Sequence, residues 1–147
     1  MAAGLRATVR AAVTGADTAE AMGSGNLPVL ATPRLLALAE AATVAAVAPI
    51  LADGLTTVGT AASLEHRKAS PLGSEVVVEA ELTEVDGRRL VFGFIARPAS
   101  AGEDGADPDV VIGAGTVERV VVDGARFLAR AQAKESSPPQ TAPPQAG

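Results

Sequence analysis

The segment Ala31 to Leu51, ATPRLLALAEAATVAAVAPIL, constrains the fold more than any other part of the chain. From Leu35 to Leu51 only Glu40 and Thr43 are polar. Thr32 is a suitable helix N-cap, Pro33 suits the first helical position, and Asp53-Gly54 supplies a stop after Pro49. At 17 residues the apolar run is shorter than the roughly 20 a bilayer span needs. It reads as the buried helix of a globular core, and a helix apolar nearly all round has to be enclosed on most sides. Glu40 is then the anomaly, because burying an ionised carboxylate without a partner costs several kcal/mol.

The flanking sequence supplies the enclosure. Leu5 to Thr14 is rich enough in Val and Thr for a first strand, and Gly15 to Leu30, punctuated by Gly, Asn and Pro, reads as an irregular lid-like connection. After the helix, Leu55 to Arg67 alternates. Glu75 to Val85 sets Val76, Val78, Ala80 and Leu82 against Glu79 and Glu81, and Arg88 to Pro98 aligns Leu90, Phe92, Phe94 and Ala96. Asp86-Gly87 between the last two signals a type I′ hairpin turn. An acidic, Gly-rich loop, too irregular for a metal site, precedes a last strand, Val110 to Val122, and a short helix follows at GARFLARAQAK. The expected order is one strand, a lid, the long helix, then four strands as an antiparallel meander. This is an α+β chain with a hotdog architecture, a curved antiparallel sheet wrapped around one central helix. Sheet edges and one helix flank stay uncovered, so two copies are expected to pair as a homodimer.

Length and composition narrow the function classes. The 147 residues make one domain, expected over 1–134, with a disordered Pro-rich tail over 135–147. No cysteine is present, which removes disulfides, thiolate metal sites and a cysteine nucleophile. Arginines interrupt the apolar start of the chain, so it lacks a signal-peptide layout and a cytoplasmic location is expected. A net charge of −5 with three Phe and no Trp or Tyr disfavours nucleic acid as a partner, and no membrane association is expected.

The only histidine, His66, shares a strand face by period-2 counting with Leu64, Ala62 and Val58, and so points at the helix. Glu40 is the one acid in the core-facing segment. Thr32 lies eight residues earlier, two turns upstream on roughly the same side. A carboxylate beside an imidazole can act as base or nucleophile while the histidine handles protons near neutral pH. The free N–H groups at the helix start favour a developing oxyanion. Each residue also has a plain structural role available: a core histidine, a capping threonine, a bulge glycine at Gly59 and an ion-paired Arg119.

The stretches ATPRLLALAEAA, TTVGTAASLEH, SPLGSEVVVEAELTEVDGRRLVF and GAGTVERVVVDGARF resemble, in order and spacing, the hotdog thioesterases typified by fluoroacetyl-CoA thioesterase. The resemblance implies a catalytic triad of Thr32, Glu40 and His66, with Gly59 and Arg119 contacting substrate. It implies hydrolysis of a short acyl-CoA, with Glu40 attacking the thioester or activating water, His66 shuttling protons and CoA leaving as the thiol. No separate cofactor and no metal are implied. Arg67 and Lys68 stand where smaller or apolar residues are usual and are candidates for a CoA phosphate. The family's aromatic lid has no counterpart in AEAMGSGNLPVL, and Val117 replaces a histidine before the Glu-Arg pair of the last strand. Two other readings remain, a hotdog acyl-CoA hydratase or dehydratase and a non-catalytic acyl-CoA or small-ligand binding module. In the former the histidine usually precedes the central helix, whereas His66 follows it.

Overall fold

A computed structural model describes residues 1–136 of the chain; most of the expected tail lies outside the described residues. The elements are β1 (Arg6–Ala12), α1 (Ala19–Met22), α2 (Thr32–Val47), β2 (Leu55–His66), β3 (Glu75–Asp86), β4 (Arg89–Pro98), β5 (Gly113–Asp123) and α3 (Gly124–Ser136). The five strands form one antiparallel sheet in the order β1-β3-β4-β5-β2.

The alternating strands bury the faces their sequences mark. Val76, Val78, Ala80 and Leu82 of β3 and Leu90, Phe92, Phe94 and Ala96 of β4 are buried. They pack with Leu35, Leu38, Ala39 and Ala42 of α2 in one cluster and with Ala46 and Val47 in a second. On the other face of β3, Glu79 and Glu81 pair with Arg6 across β1. The helix lies mainly across β1 and β3 and only touches β2 and β5. That offset opens a trough along β2, and in this chain alone Val44 remains exposed on the flank that borders it.

Three local expectations are corrected. The strands after α2 are not a four-strand meander: β3, β4 and β5 are, but β2 crosses to the far edge and pairs with β5. Its link to β3 is tied down on the way, since Leu30 N–H donates to the Ser70 carbonyl at 2.8 Å and Val29 bridges Pro71. The β3–β4 hairpin closes through Gly87-Arg88, because Asp86 is already paired with Arg89. With φ +59° at Gly87 and left-handed φ absent at Arg88, this is a turn with positive φ only at its first central residue, type II′ rather than I′. The N-cap of α2 is Ala31, whose side chain caps nothing, and Thr32 is the first helical residue, freed from capping.

The lid is more ordered than its composition suggests. Asp17 accepts from both the N–H and hydroxyl of Thr14 and from Arg34 Nε at 2.8 Å, which ties the lid to the first turn of α2. The Thr14 backbone and hydroxyl hold the Asp17 carboxyl below the usual range.

Gly115 faces β2 so closely that an added Cβ would run into the Ser63 carbonyl and lie 3.1 Å from Leu64 Cα, both backbone atoms that cannot step aside. Gly115→Ala is therefore expected to destabilise the fold by about 3 kcal/mol or more in denaturant unfolding. An unchanged midpoint would show that β2 and β5 can separate at this point without cost.

Candidate active site

Two polar pairs lie along the trough. At the start of α2, Thr32 Oγ1 is 2.8 Å from His66 Nδ1. Two turns further along the helix, Arg119 Nη1 donates to Glu40 Oε2 at 3.0 Å. Eight helical residues separate the pairs by roughly 12 Å along the axis. Thr32 and His66 thus meet each other, whereas Glu40, expected to join them in a single pocket, is partnered within the chain by Arg119 and makes no hydrogen bond to the imidazole.

Arg119 is the anchor of the second pair. Its side chain is 8% exposed; Nε donates to Thr57 Oγ1 at 2.8 Å and Nη2 to the Thr57 carbonyl at 3.0 Å. Glu40 is 39% exposed, so it is not the enclosed carboxylate its apolar neighbours imply: the trough gives it water on one side and a fixed cation on the other. Among the described residues, Oε1 has no hydrogen-bond partner.

Gly59 completes this pair by being small. An added Cβ would lie 2.6 Å from Glu40 Oε2 and 3.3 Å from Arg119 Nη1. The strand register shifts between Gly59 and Ala61, opposite Arg119 and Glu118, leaving Thr60 as the extra residue of a bulge. The bulge corrects the face assignment along β2. Thr57 and Gly59 face the helix before it and Ala62, Leu64 and His66 after it, so Val58 does not share the face of His66. Alternation alone misses this, though the glycine inside a strand pattern is its sequence signal.

His66 lines a cleft of about 220 Å³ beneath the lid, together with Thr32, Ala19, Ser24, Val29 and Lys68. No aromatic ring lines it. The buried Nε2 of His66 has no hydrogen-bond partner. Burial pushes the imidazole below the ordinary histidine range, and the Lys68 backbone opposes this only in part. The ring is therefore neutral at pH 7. With Nδ1–H donating to Thr32, Nε2 carries a lone pair; with the Thr32 hydroxyl donating to Nδ1, Nε2 carries a proton. Arg67, at the cleft rim, is held by Glu65 at 2.9 Å. Among the described residues no cluster of three or more His, Asp or Glu side chains could hold a metal ion.

Comparison with known proteins identifies the fold and the family. The chain superposes on the crystal structure of a point mutant of the fluoroacetyl-CoA-specific thioesterase with a TM-score of 0.78 at 34% identity, covering 91% of this chain and 97% of that one. A hot-dog-like protein from Thermanaerovibrio acidaminovorans shares the fold at 19% identity and TM-score 0.78, covering 92% and 94%. The chain is a hotdog-fold thioesterase. The fluoroacetyl-CoA thioesterase of Streptantibioticus cattleyicolor is 41% identical over 106 residues, 72% of this chain and 70% of that protein. The profile of the fluoroacetyl-CoA-specific thioesterases matches residues 13–125, and the chain belongs to that family.

Two outcomes follow from the geometry. In Gly59→Ala the colliding atom is the mobile end of Glu40, so the carboxylate moves and the fold survives. Thioester hydrolysis is expected to fall at least about tenfold while unfolding stability changes by less than about 1 kcal/mol; wild-type rates would show that the position of this carboxylate is unimportant. The second concerns His66. An unfolded chain takes up its histidine proton near pH 6.5, whereas the native state resists it. The His66 contribution to stability is constant above that pH and is lost as pH falls through it towards the lower folded pKa. The stability difference between wild type and His66→Asn, measured by urea unfolding from pH 8 to 5, should shift against the wild type below about pH 6.5; a flat difference would contradict the burial argument.

Proposed function

We propose that the protein hydrolyses a short-chain acyl-CoA to the free acid and CoA, with Glu40 as nucleophile or general base, His66 as proton shuttle and Thr32 as its hydrogen-bond partner. The reading is carried by the Thr32–His66 hydrogen bond, which fixes the imidazole beside a cleft of acyl size that both residues line, with its buried Nε2 left without a partner. Water oxygen adds to the thioester carbonyl carbon, the C–S bond breaks, and a proton passes to the departing CoA sulfur. In the direct route the Glu40 carboxylate first takes the acyl group as an anhydride, which water then opens. Arg119 and Gly59 orient the carboxylate and leave Oε1 free for either role. The substrate class follows the relatives: one solved structure of the fluoroacetyl-CoA thioesterase, 33% identical with TM-score 0.78 over 94% of this chain and all of that one, holds acetyl-CoA. In this reading Lys68 at the cleft rim meets a polar part of CoA while its neighbour Arg67 stays paired with Glu65, and no cofactor besides the CoA of the substrate takes part.

The roughly 12 Å between the polar pairs favours a homodimer. Strand β2 is a sheet edge bordered by the exposed flank of α2. Two-fold antiparallel pairing of two such edges sets the Glu40 end of one copy beside the His66 end of the other, bringing acid and imidazole to one thioester. We place this dimer in the cytoplasm, where acyl-CoA is made and consumed.

With acetyl-CoA and longer acyl-CoAs, and released thiol as the readout, Glu40→Gln and His66→Asn should each lower kcat by about 10²-fold or more with little change in KM. Undiminished turnover in either variant would remove that residue from the mechanism, and no turnover by wild type with any acyl-CoA would overturn the reading. Light scattering on a sizing column should return the mass of two chains at micromolar concentration; a monomer with full activity would exclude the shared site.

A further inference from the structure

The arginines of this acidic chain are not distributed evenly between partnered and unpartnered. Arg6, Arg10, Arg34, Arg67, Arg89 and Arg119 all form ion pairs with carboxylates. Among the described residues Arg88, Arg97, Arg126 and Arg130 form none, and three of these four, Arg88, Arg126 and Arg130, line one cleft of about 230 Å³ at the end of the sheet where α3 begins. Arg88 comes from the β3–β4 turn, while Arg126 and Arg130 lie one turn apart on α3. Phe127 and Leu55, both exposed, supply an apolar wall. One carboxylate, Asp123, also lines the cleft, and its Oδ1 already accepts from the Arg126 backbone N–H at 3.1 Å. Three unneutralised guanidiniums in a chain of net charge −5 mark a place built for an anion.

We propose that this cleft binds the 3′-phosphorylated adenosine diphosphate end of CoA, the guanidiniums on the phosphates and the adenine against Phe127. The proposal rests on the acyl-CoA reading and assigns the part of the substrate that the trough does not hold. Guanidinium is the cation suited to bidentate phosphate contact, and an exposed ring beside it offers a stacking face. Position agrees. Leu55 is four residues, about 13 Å of strand, from Gly59 and the Glu40–Arg119 pair. The pantetheine arm between thioester and diphosphate spans such a length. In a pairing of β2 edges the same cleft comes beside the Lys68 end of the other copy, so the assignment holds for either route of the arm. Arg67, in contrast, is already engaged by Glu65.

The test compares an acyl-CoA with the acyl-pantetheine that carries the same acyl group and arm but no nucleotide. In Arg88→Gln/Arg126→Gln/Arg130→Gln, the kcat/KM ratio of acyl-CoA to acyl-pantetheine should fall by about tenfold or more, mainly through a higher KM for acyl-CoA. An unchanged ratio would overturn the proposal. Titration calorimetry provides a readout independent of turnover. Adenosine 3′,5′-bisphosphate should bind the wild type more tightly than inorganic pyrophosphate does, and the triple variant about tenfold more weakly. Equal binding of the two probes, or no loss in the variant, would overturn the nucleotide assignment. If the wild type hydrolyses neither substrate yet binds the bisphosphate in this arginine-dependent way, the hydrolase reading fails and the nucleotide site stands.

Discussion

A guanidinium taken out of water needs a partner for each of its nitrogens, and Arg119 finds them in two directions. Thr57, two residues before Gly59 on the neighbouring strand, takes two of its nitrogens, and Glu40 on the helix takes the third. The acid set in an apolar helix is therefore the counter-ion that lets a cation sit beneath the sheet. Burial of such a pair contributes little net stability, because desolvation offsets most of the attraction. It does fix where the carboxylate stands, and Gly59 keeps that place open by contributing no side chain.

Around this pair the fold supplies an asymmetric frame. Because α2 rests on β1 and β3, the β2 side of the sheet is left with a trough instead of a closed core. Polar side chains are tolerated there that a sealed interface would exclude. The imidazole sits at one end, desolvated enough to stay neutral, and the acid at the other, half in water. The proposed reaction asks for a proton carrier that changes charge easily and an oxygen base that keeps its position, and in that proposal the two ends of the trough take these roles separately.

Much of this was legible in the residues. Strict alternation in β3 and β4 marked their buried faces, the apolar run marked α2, and the spacing of Thr32, Glu40 and His66 marked the side of the helix that carries the polar groups. What was not legible depends on long-range choices. Alternation does not say which strands are neighbours, so the crossing of β2 to the far edge beside β5 was hidden. Thr32 reads as a cap because its local chemistry suits one, while its hydroxyl is claimed by a residue 34 positions away. The partner of Glu40 was concealed for the same reason, being 79 positions distant on a strand whose own pattern marks it only as another charged residue.

The additional residue at Thr60 works as a phase inverter. Before it, odd-numbered side chains look at the helix; after it, even-numbered ones do. A deletion of one codon here would restore regular pairing to β2 and, in doing so, rotate either Gly59 or His66 to the opposite surface, leaving a well-formed sheet with half its polar equipment pointing the wrong way. The length of this strand is thus under a tighter restriction than its composition.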